Sequence, residues 1–238
     1  DVFNDLRLKK LPGNLAIGHN RYSTTGVSRI KNAQPCLIEY VGGTMAMGHN
    51  GNLVNAAKIR KELGAEGAIF QSTNDSEVVV HLMAQSRRNT FVDRAVSALS
   101  QVKGAYSIVL MSDNELIAAR DPHGFRPLCL GKLDGAYIVA SESCVMDLVE
   151  AEFIRELEPG ELFLINKSGI QSFFPFQKTA TKQCVFEHIY FSRPDSYLFG
   201  HSVYSVRKLM GRSLAREKPV EADVVVPVPD SGVISAMG

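Results

Sequence analysis

The sequence has no C-x-x-C pair, no apolar run long enough to cross a membrane, and no tryptophan. Its four cysteines stand far apart, at 36, 129, 144 and 184. The plain reading is therefore a reduced, intracellular protein of the cytoplasm. The N-terminus lacks signal-peptide architecture, and neither an internal repeat nor a low-complexity segment occurs. Neither sign of charge dominates, since 26 Lys and Arg stand against 25 Asp and Glu, a net charge of +1. Bulk electrostatics thus imply neither nucleic acid nor an anionic membrane as a partner. The absence of Trp decides nothing. What is present is 45% hydrophobic and 21% charged residues over 238 positions. That composition supplies a packed core, argues against disorder, and fits one large domain or one and a half smaller ones.

Two stretches organise the rest. Gly18-His19-Asn20-Arg21-Tyr22-Ser23-Thr24-Thr25-Gly26 and Gly48-His49-Asn50-Gly51-Asn52-Leu53 each follow a short apolar run. The runs, 15–17 and 44–47, read as strands that stop at Gly. A His-Asn-Gly-Asn turn presents the Asn50 side-chain amide and the Gly51 backbone N–H a residue apart. Two such donors can converge on one oxygen, which an oxyanion hole for acyl transfer requires. Taken alone, Asn-Gly is also the commonest tight hairpin turn. Arg21 suits bidentate capture of a carboxylate, and Asp75, within Ser72-Thr73-Asn74-Asp75-Ser76-Glu77, suits an ammonium. Together these groups would hold an α-amino acid at one end and attack its side-chain carbonyl at the other. Glutamine is the obvious candidate.

Those three motifs, in that order, resemble the class II glutamine amidotransferases. Phe186-Glu187-His188-Ile189-Tyr190-Phe191-Ser192-Arg193-Pro194-Asp195-Ser196 and Val226-Pro227-Val228-Pro229-Asp230-Ser231-Gly232 narrow the resemblance to the amidophosphoribosyltransferase branch. The resemblance implies an N-terminal-nucleophile (Ntn) hydrolase fold, with Arg21 on the glutamine α-carboxylate, Asp75 on the α-ammonium and Thr24 in the same pocket. It implies Asp230, Ser231 and Gly232 on the pyrophosphate side of a phosphoribosyl pyrophosphate site that uses Mg2+, and a homo-oligomer at full length. In this family the general base is the α-amine of an N-terminal Cys. The chain instead begins at Asp1, in mid-domain, so residues 1–238 alone are expected not to hydrolyse glutamine above background. His19 and His49 receive no catalytic role.

Along the chain, Cys36 to Val41 alternates as a strand after Gln34-Pro35. Asn55 is placed to cap a helix through Leu63, with Gly64 ending it. Asn74 with Glu77 forms a capping-box pattern, with Val78, Leu82 and Met83 as the buried face. Thr90 with Asp93 opens a further amphipathic helix. From Ala105 the period falls to two, giving strands at 106–111, 116–119, 128–133 and 136–140, with Asp113-Asn114 and Asp134-Gly135 as turns. A short helix at 144–149 precedes strands at 161–165 and 170–174. Helices before and after antiparallel strands suggest two packed sheets with helices outside. The expected class is α+β, and the resemblance specifies a four-layer α/β/β/α Ntn-hydrolase sandwich followed by the start of an α/β phosphoribosyltransferase-type domain. Pro175 to Lys182 reads as a linker, dividing a glutaminase domain at 1–182 from the second domain at 183–238. There, 202–217 reads as a helix with Val203, Val206, Leu209, Met210 and Leu214 on one side. Residues 223–228 read as a parallel strand buried on both faces.

Cys36, Cys129 and Cys144 read as small core residues. Cys184 precedes the Phe-Glu-His motif, where the resemblance places a first iron–sulfur ligand; the other three thiolates would lie beyond Gly238. His123, Arg126 and Arg193-Pro194-Asp195 read as interdomain contacts. Two alternatives share part of the pattern. One is another class II amidotransferase, such as the glucosamine-6-phosphate-forming enzyme, against which residues 223–232 argue. The other is a non-catalytic glutamine-binding module.

Overall fold

The computed structural model describes residues 4–20 and 29–238. In chain order its elements are α1 (Asp5–Leu8), β1 (Cys36–Tyr40), β2 (Gly43–Leu53), α2 (Ala56–Ala65), α3 (Glu77–Gln85), α4 (Phe91–Leu99), β3 (Gly104–Met111), β4 (Glu115–Arg120) and β5 (Cys129–Leu133). They continue with β6 (Ala136–Ala140), α5 (Cys144–Leu148), β7 (Glu152–Glu156), β8 (Leu162–Asn166), β9 (Gly169–Phe173), β10 (Tyr197–Leu198), β11 (His201–Ser202), α6 (Val203–Glu217) and α7 (Gly232–Met237). A 3-10 turn spans Ile30–Asn32 and a π-helical turn spans Glu187–Phe191. The mixture of helix and mainly antiparallel strand is the α+β class expected from the pattern.

By compactness the chain forms two units. The first contains Asp1–Gly104, Ile108–Ala119 and Leu162–Pro175; the second contains Ala105–Ser107, Arg120–Glu161 and Phe176–Gly238.

The first unit carries a six-stranded sheet in the order β1-β2-β3-β4-β8-β9. β1 and β2 form a hairpin from Tyr40↔Gly43 out to Cys36↔Met47, and β4 pairs antiparallel with β8 from Glu115↔Asn166 to Ala119↔Leu162. Met45, Met47, Ile108, Leu110, Ile117 and Leu162 are fully buried along these strands. Helix α3 packs against α2 and α4. Its Val78, Val79 and Val80 are all completely buried, so this is a helix apolar around most of its first turn rather than a one-faced one. Thr90 caps α4 as expected, its hydroxyl accepting from the Asp93 N–H at 3.0 Å.

Three local expectations fail here. Residues 15–17 form no strand. The His49-Asn50-Gly51-Asn52 stretch is not a turn; β2 runs straight through it to Leu53. Neither Asn55 nor Asn74 caps a helix. Asn55 bridges the Gln101 carbonyl and the Lys103 N–H, and the Asn74 side chain donates to the Asn32 carbonyl. Short polar side chains cap only when no better hydrogen-bond partner is near, and here tertiary partners win.

In the second unit a three-stranded sheet runs β6-β5-β7. The β5–β6 hairpin turns at Asp134 (φ 48°) and Gly135 (φ 85°), the two left-handed positions that an Asp-Gly turn provides. β7, unread in the sequence, has charged ends and lacks a clean polar–apolar alternation. Cys129, Met146, Leu198 and Val203 form a core against which Ile138, Ala140, Ala151 and Phe199 pack.

The stretch read as a linker is fastened down. Lys182 N–H donates to the His123 carbonyl, the Thr179 hydroxyl to the Pro122 carbonyl, and Cys184 N–H to the Phe125 carbonyl. Ser202 caps α6, but its buried face is Val203 and Arg207. Arg207 donates to the carbonyls of His188 (2.6 Å) and Ser192 (2.7 Å), while Leu209 and Leu214 stay exposed. Arg126 pairs with Glu187 at 3.0 Å, joining residues on either side of position 182. His123 contacts Thr179 and Ala180, and Arg193 pairs locally with Asp195. The expected strand at 223–228 does not form: no described residue pairs with it, and Val224, Val225, Val226 and Val228 are exposed. A parallel strand is stable only inside a sheet with both faces covered.

Among the described residues no helix is long and apolar enough to cross a membrane.

Candidate active site

The site begins where β2 outruns β1. Their last registered pair is Cys36↔Met47, so Gly48 to Leu53 continues past the end of that pairing. Gly48 fits where a Cβ would press on the Val109 methyl at 3.2 Å, and Gly51 has φ 152°, a value side-chain-bearing residues rarely adopt.

A loop at 71–76, just before α3, is bound to this end of the strand. Asp75 Oδ2 accepts the Leu53 N–H at 2.7 Å. Its Oδ1 accepts the Ser76 N–H at 3.0 Å and lies 3.3 Å from the Ser76 hydroxyl. The same hydroxyl is 2.9 Å from His49 Nδ1. The His49 N–H donates to Gln34 Oε1 at 2.7 Å, and His19 Nε2 lies 3.0 Å from the His49 carbonyl oxygen. Both histidines thus use a ring nitrogen in a structural contact, His49 with Ser76 of the loop and His19 with the backbone of β2. The structure brings Asp75 to the Leu53 backbone, on the same strand as Asn50 and Gly51, which are both half-buried. An ionised carboxylate offers about four acceptor sites, so three donors leave capacity for one cation. Arg21 and Thr24 lie outside the described residues.

Loop 71–76 has no ladder partners, and side chains replace them. Glu77, 2% exposed, accepts the N–H groups of Gln71 (2.6 Å) and Ser72 (2.9 Å) and the Ser72 hydroxyl (2.7 Å). Arg60 lies 3.5 Å from the same carboxylate and donates to the carbonyls of Ser72 (3.1 Å) and Asn74 (2.5 Å). Asn32 closes the other side, accepting the Thr73 N–H at 2.9 Å and donating to the Thr73 hydroxyl at 2.9 Å. Burial pushes the Glu77 pKa up, but the Gln71 and Ser72 bonds and Arg60 outweigh it, and the group stays below the ordinary carboxylate value. His81, 3.7 Å from Glu77, is held low chiefly by burial. Sequence reasoning gave Glu77 only a capping-box part with Asn74, whereas it binds Gln71 and Ser72, and gave Arg60 no part. The available signal was an acid directly ahead of Val78-Val79-Val80, which places it at the mouth of a buried helix.

The cysteines do not compete for the nucleophile's role. Burial, then the nearby Glu77, pushes Cys36 up to about 11, and burial, then Glu156, pushes Cys129 to about 12. Cys144 is also raised, mainly by burial. A thiol held high is not a poised nucleophile. Cys184 is half-buried at the start of the π-helical turn, its carbonyl accepting from Glu187 N–H at 3.1 Å. Among the described residues no group of three His, Cys, Asp or Glu could hold a metal ion. The donors among the described residues therefore compose neither an iron–sulfur nor a magnesium site.

Asp230, Ser231 and Gly232 lie in the second unit, at the start of α7. Gly232 N–H donates to the Val228 carbonyl at 3.0 Å and Val233 N–H to the Asp230 carbonyl at 3.3 Å, so the loop closes on itself.

With strand, loop and carboxylate in place, the comparison with known proteins defines the class. The glutamine amidotransferase domain matches residues 19–147, and the chain belongs to that family. More particularly, it is 48% identical over 239 residues to amidophosphoribosyltransferase 2, chloroplastic, of Arabidopsis thaliana, covering 100% of this chain and 43% of that protein. It is 45% identical to the amidophosphoribosyltransferase of Bacillus subtilis, over 100% of this chain and 50% of that one. The structure of glutamine phosphoribosylpyrophosphate amidotransferase from B. subtilis, complexed with ADP and GMP, superposes with a TM-score of 0.86 at 44% identity. That match covers 92% of this chain and 48% of the other. The chain spans about half the length of the relatives it matches.

Proposed function

We propose that this chain carries the glutamine end of an amidophosphoribosyltransferase, the first committed step of purine synthesis. In that reaction glutamine is hydrolysed through a Cys thioester, and the released ammonia displaces pyrophosphate at C1 of phosphoribosyl pyrophosphate. The C1–N bond forms as the C1–O bond to pyrophosphate breaks, giving 5-phosphoribosylamine, glutamate and pyrophosphate. The observation that carries the reading is the seating of Asp75 against Leu53 N–H, which brings an ammonium acceptor to the strand bearing Asn50 and Gly51. In this reading Asn50 and Gly51 receive the developing oxyanion, Asp75 the α-ammonium, and Arg21 the α-carboxylate beside Thr24. Residues 1–182 form the glutaminase domain and 183–238 open the phosphoribosyltransferase domain, with Asp230 to Gly232 toward pyrophosphate and Mg2+ accompanying the sugar phosphate. Cys184 would need three thiolates from outside residues 1–238 to hold a cluster. A homo-oligomer in the cytoplasm completes the proposal.

The test uses a protein joining residues 1–238 to an N-terminal Cys and a phosphoribosyltransferase domain. Asn50→Ala lowers kcat for glutamine about a hundredfold or more with KM nearly unchanged, the usual loss for one oxyanion donor. Asp75→Ala and Arg21→Ala chiefly raise KM. If Asn50→Ala raises KM and leaves kcat alone, the oxyanion assignment is wrong.

A further inference from the structure

We infer that Glu77 is a positioning residue for glutamine: buried beneath loop 71–76, it sets Asp75 where the α-ammonium is read, and so governs selection for the amino group. The inference rests on the site reading under Proposed function. The loop carrying Asp75 lies in neither helix nor strand, yet the N–H groups of Gln71, Ser72, Thr73, Asn74 and Ser76 all have side-chain partners. Gln71 N–H and Ser72 N–H enter the Glu77 carboxylate, the Ser72 and Asn74 carbonyls meet Arg60, and Thr73 N–H meets Asn32. Arg60 and Glu77 also face each other at 3.5 Å, so one ion pair fixes both the donors and the acceptors of the loop. His81 backs the same carboxylate at 3.7 Å and meets the Phe70 ring in a tilted contact, 4.4 Å between centroids, while the Arg60 guanidinium lies 4.0 Å from the Phe70 ring centroid.

At the far end of this frame Asp75 is held at two points, Leu53 N–H and Ser76. A carboxylate read by a single substrate charge must be placed to within a fraction of an ångström, and its supporting groups decide that placement. Glu77 itself binds Gln71 and Ser72, four and three residues ahead of Asp75, and so acts through the loop rather than on substrate.

The experiment measures kcat/KM for glutamine and for glutaric acid monoamide, which is glutamine without its α-amino group, in the same joined protein. Asp75→Asn serves as the reference and should collapse the preference for glutamine. Glu77→Gln should lower that preference about tenfold by raising the glutamine KM, with kcat/KM for the monoamide unchanged. An equal fall on both substrates would mean a purely structural role and overturn the inference, as would an unchanged preference. Should Glu77→Gln not fold, Arg60→Met carries the same test, because that side chain is 27% exposed and removes the contacts to Ser72 and Asn74. If Asp75→Asn keeps the preference, the site reading itself falls. If Asp75→Asn loses it and Glu77→Gln keeps it, only the positioning role falls.

Discussion

Residues 43–53, with three Gly and two Asn, are poor in the side chains that favour strands and residues 223–228 are rich in them, yet they meet the opposite fates. The first is β2, paired with β1 and flanked by β3 in sheet order, with Met45 and Met47 at 0% exposure. The second leaves Val225 71% and Val226 80% exposed and forms no ladder among the described residues. Each ends in a motif containing Asn or Asp with Gly. The motif on β2 is fixed by Asp75, Ser76 and Gln34, whereas Asp230 to Gly232 closes only on its own turn. Strand preference measures fit to a pleated, half-buried surface, so without neighbours it has nothing to express. A site inherits its precision from that same surround.

The widest gap is expected between the two units that hold these regions, from one substitution made in each unit. At Gly104, φ is 136° and an added Cβ would strike Asn52 O, with Leu53 Cα at 3.0 Å and Val54 N at 3.1 Å. That is backbone on backbone in a paired region, so Gly104→Ala should cost about 3 kcal/mol in urea unfolding. At Gly211 an added Cβ would strike the Ser235 carbonyl, an equally close approach. Yet α7 buries none of its residues and can lift away. Helix α6 meanwhile gains up to about 1 kcal/mol of intrinsic propensity on Gly→Ala. Gly211→Ala should therefore leave stability within about 1 kcal/mol of the parent. Equal losses at the two sites would erase the contrast.

A smaller separation should appear in the pH dependence of two buried carboxylates. Glu77, in the first unit, lies below its ordinary value; its contribution is present above the unfolded carboxylate pKa and lost as pH falls through the folded one. Glu187, in the second, is raised by burial despite Arg126 and Ser192; its contribution is full below the unfolded pKa and lost as pH rises through the folded one. Glu77→Gln should thus be most harmful near neutrality and progressively less so in acid, and Glu187→Gln should show the opposite slope. Unfolding free energies from about pH 2 to about pH 8, a span on both sides of the ordinary carboxylate value, would decide it; parallel slopes contradict the assignment.

What could be read from the sequence was local. The Thr90 cap and the Asp134-Gly135 hairpin each depend on residues within three positions of one another. The residue types Asn50, Gly51 and Asp75 also stood in order in the sequence, and the structure places Asp75 against the Leu53 N–H of that strand. What escaped was long-range. Asn-Gly at 50–51 suggested a turn, because nothing local reveals that β2 continues in its sheet. Asn74 suggested a cap, because Asn32, its partner, is 42 residues away. Arg60 reaches Asn74 across 14 residues, and no spacing rule announces that bond. β7 hid behind charged ends, and the buried side of α6 turned out to centre on an arginine that meets carbonyls rather than on its leucines.

The smallest effect should come from Val226→Thr. The two side chains have nearly the same shape, so the substitution tests only whether a hydroxyl can be tolerated there. In a packed core an unpartnered hydroxyl costs about 1–3 kcal/mol. At 80% exposure it keeps its water, and the change should stay within about 0.5 kcal/mol. Hydrogen exchange gives an independent reading: the amides of Val224 to Val226, outside any ladder, should exchange with little protection, while those of Met45 to Met47 should open only with the sheet. Protection at Val224 to Val226, or a loss above about 1 kcal/mol, would show that neighbouring strands cover this stretch in solution. Residues 223–228 would then be a sheet strand like β2, and the difference between the two regions would lie in what surrounds them rather than in their residues.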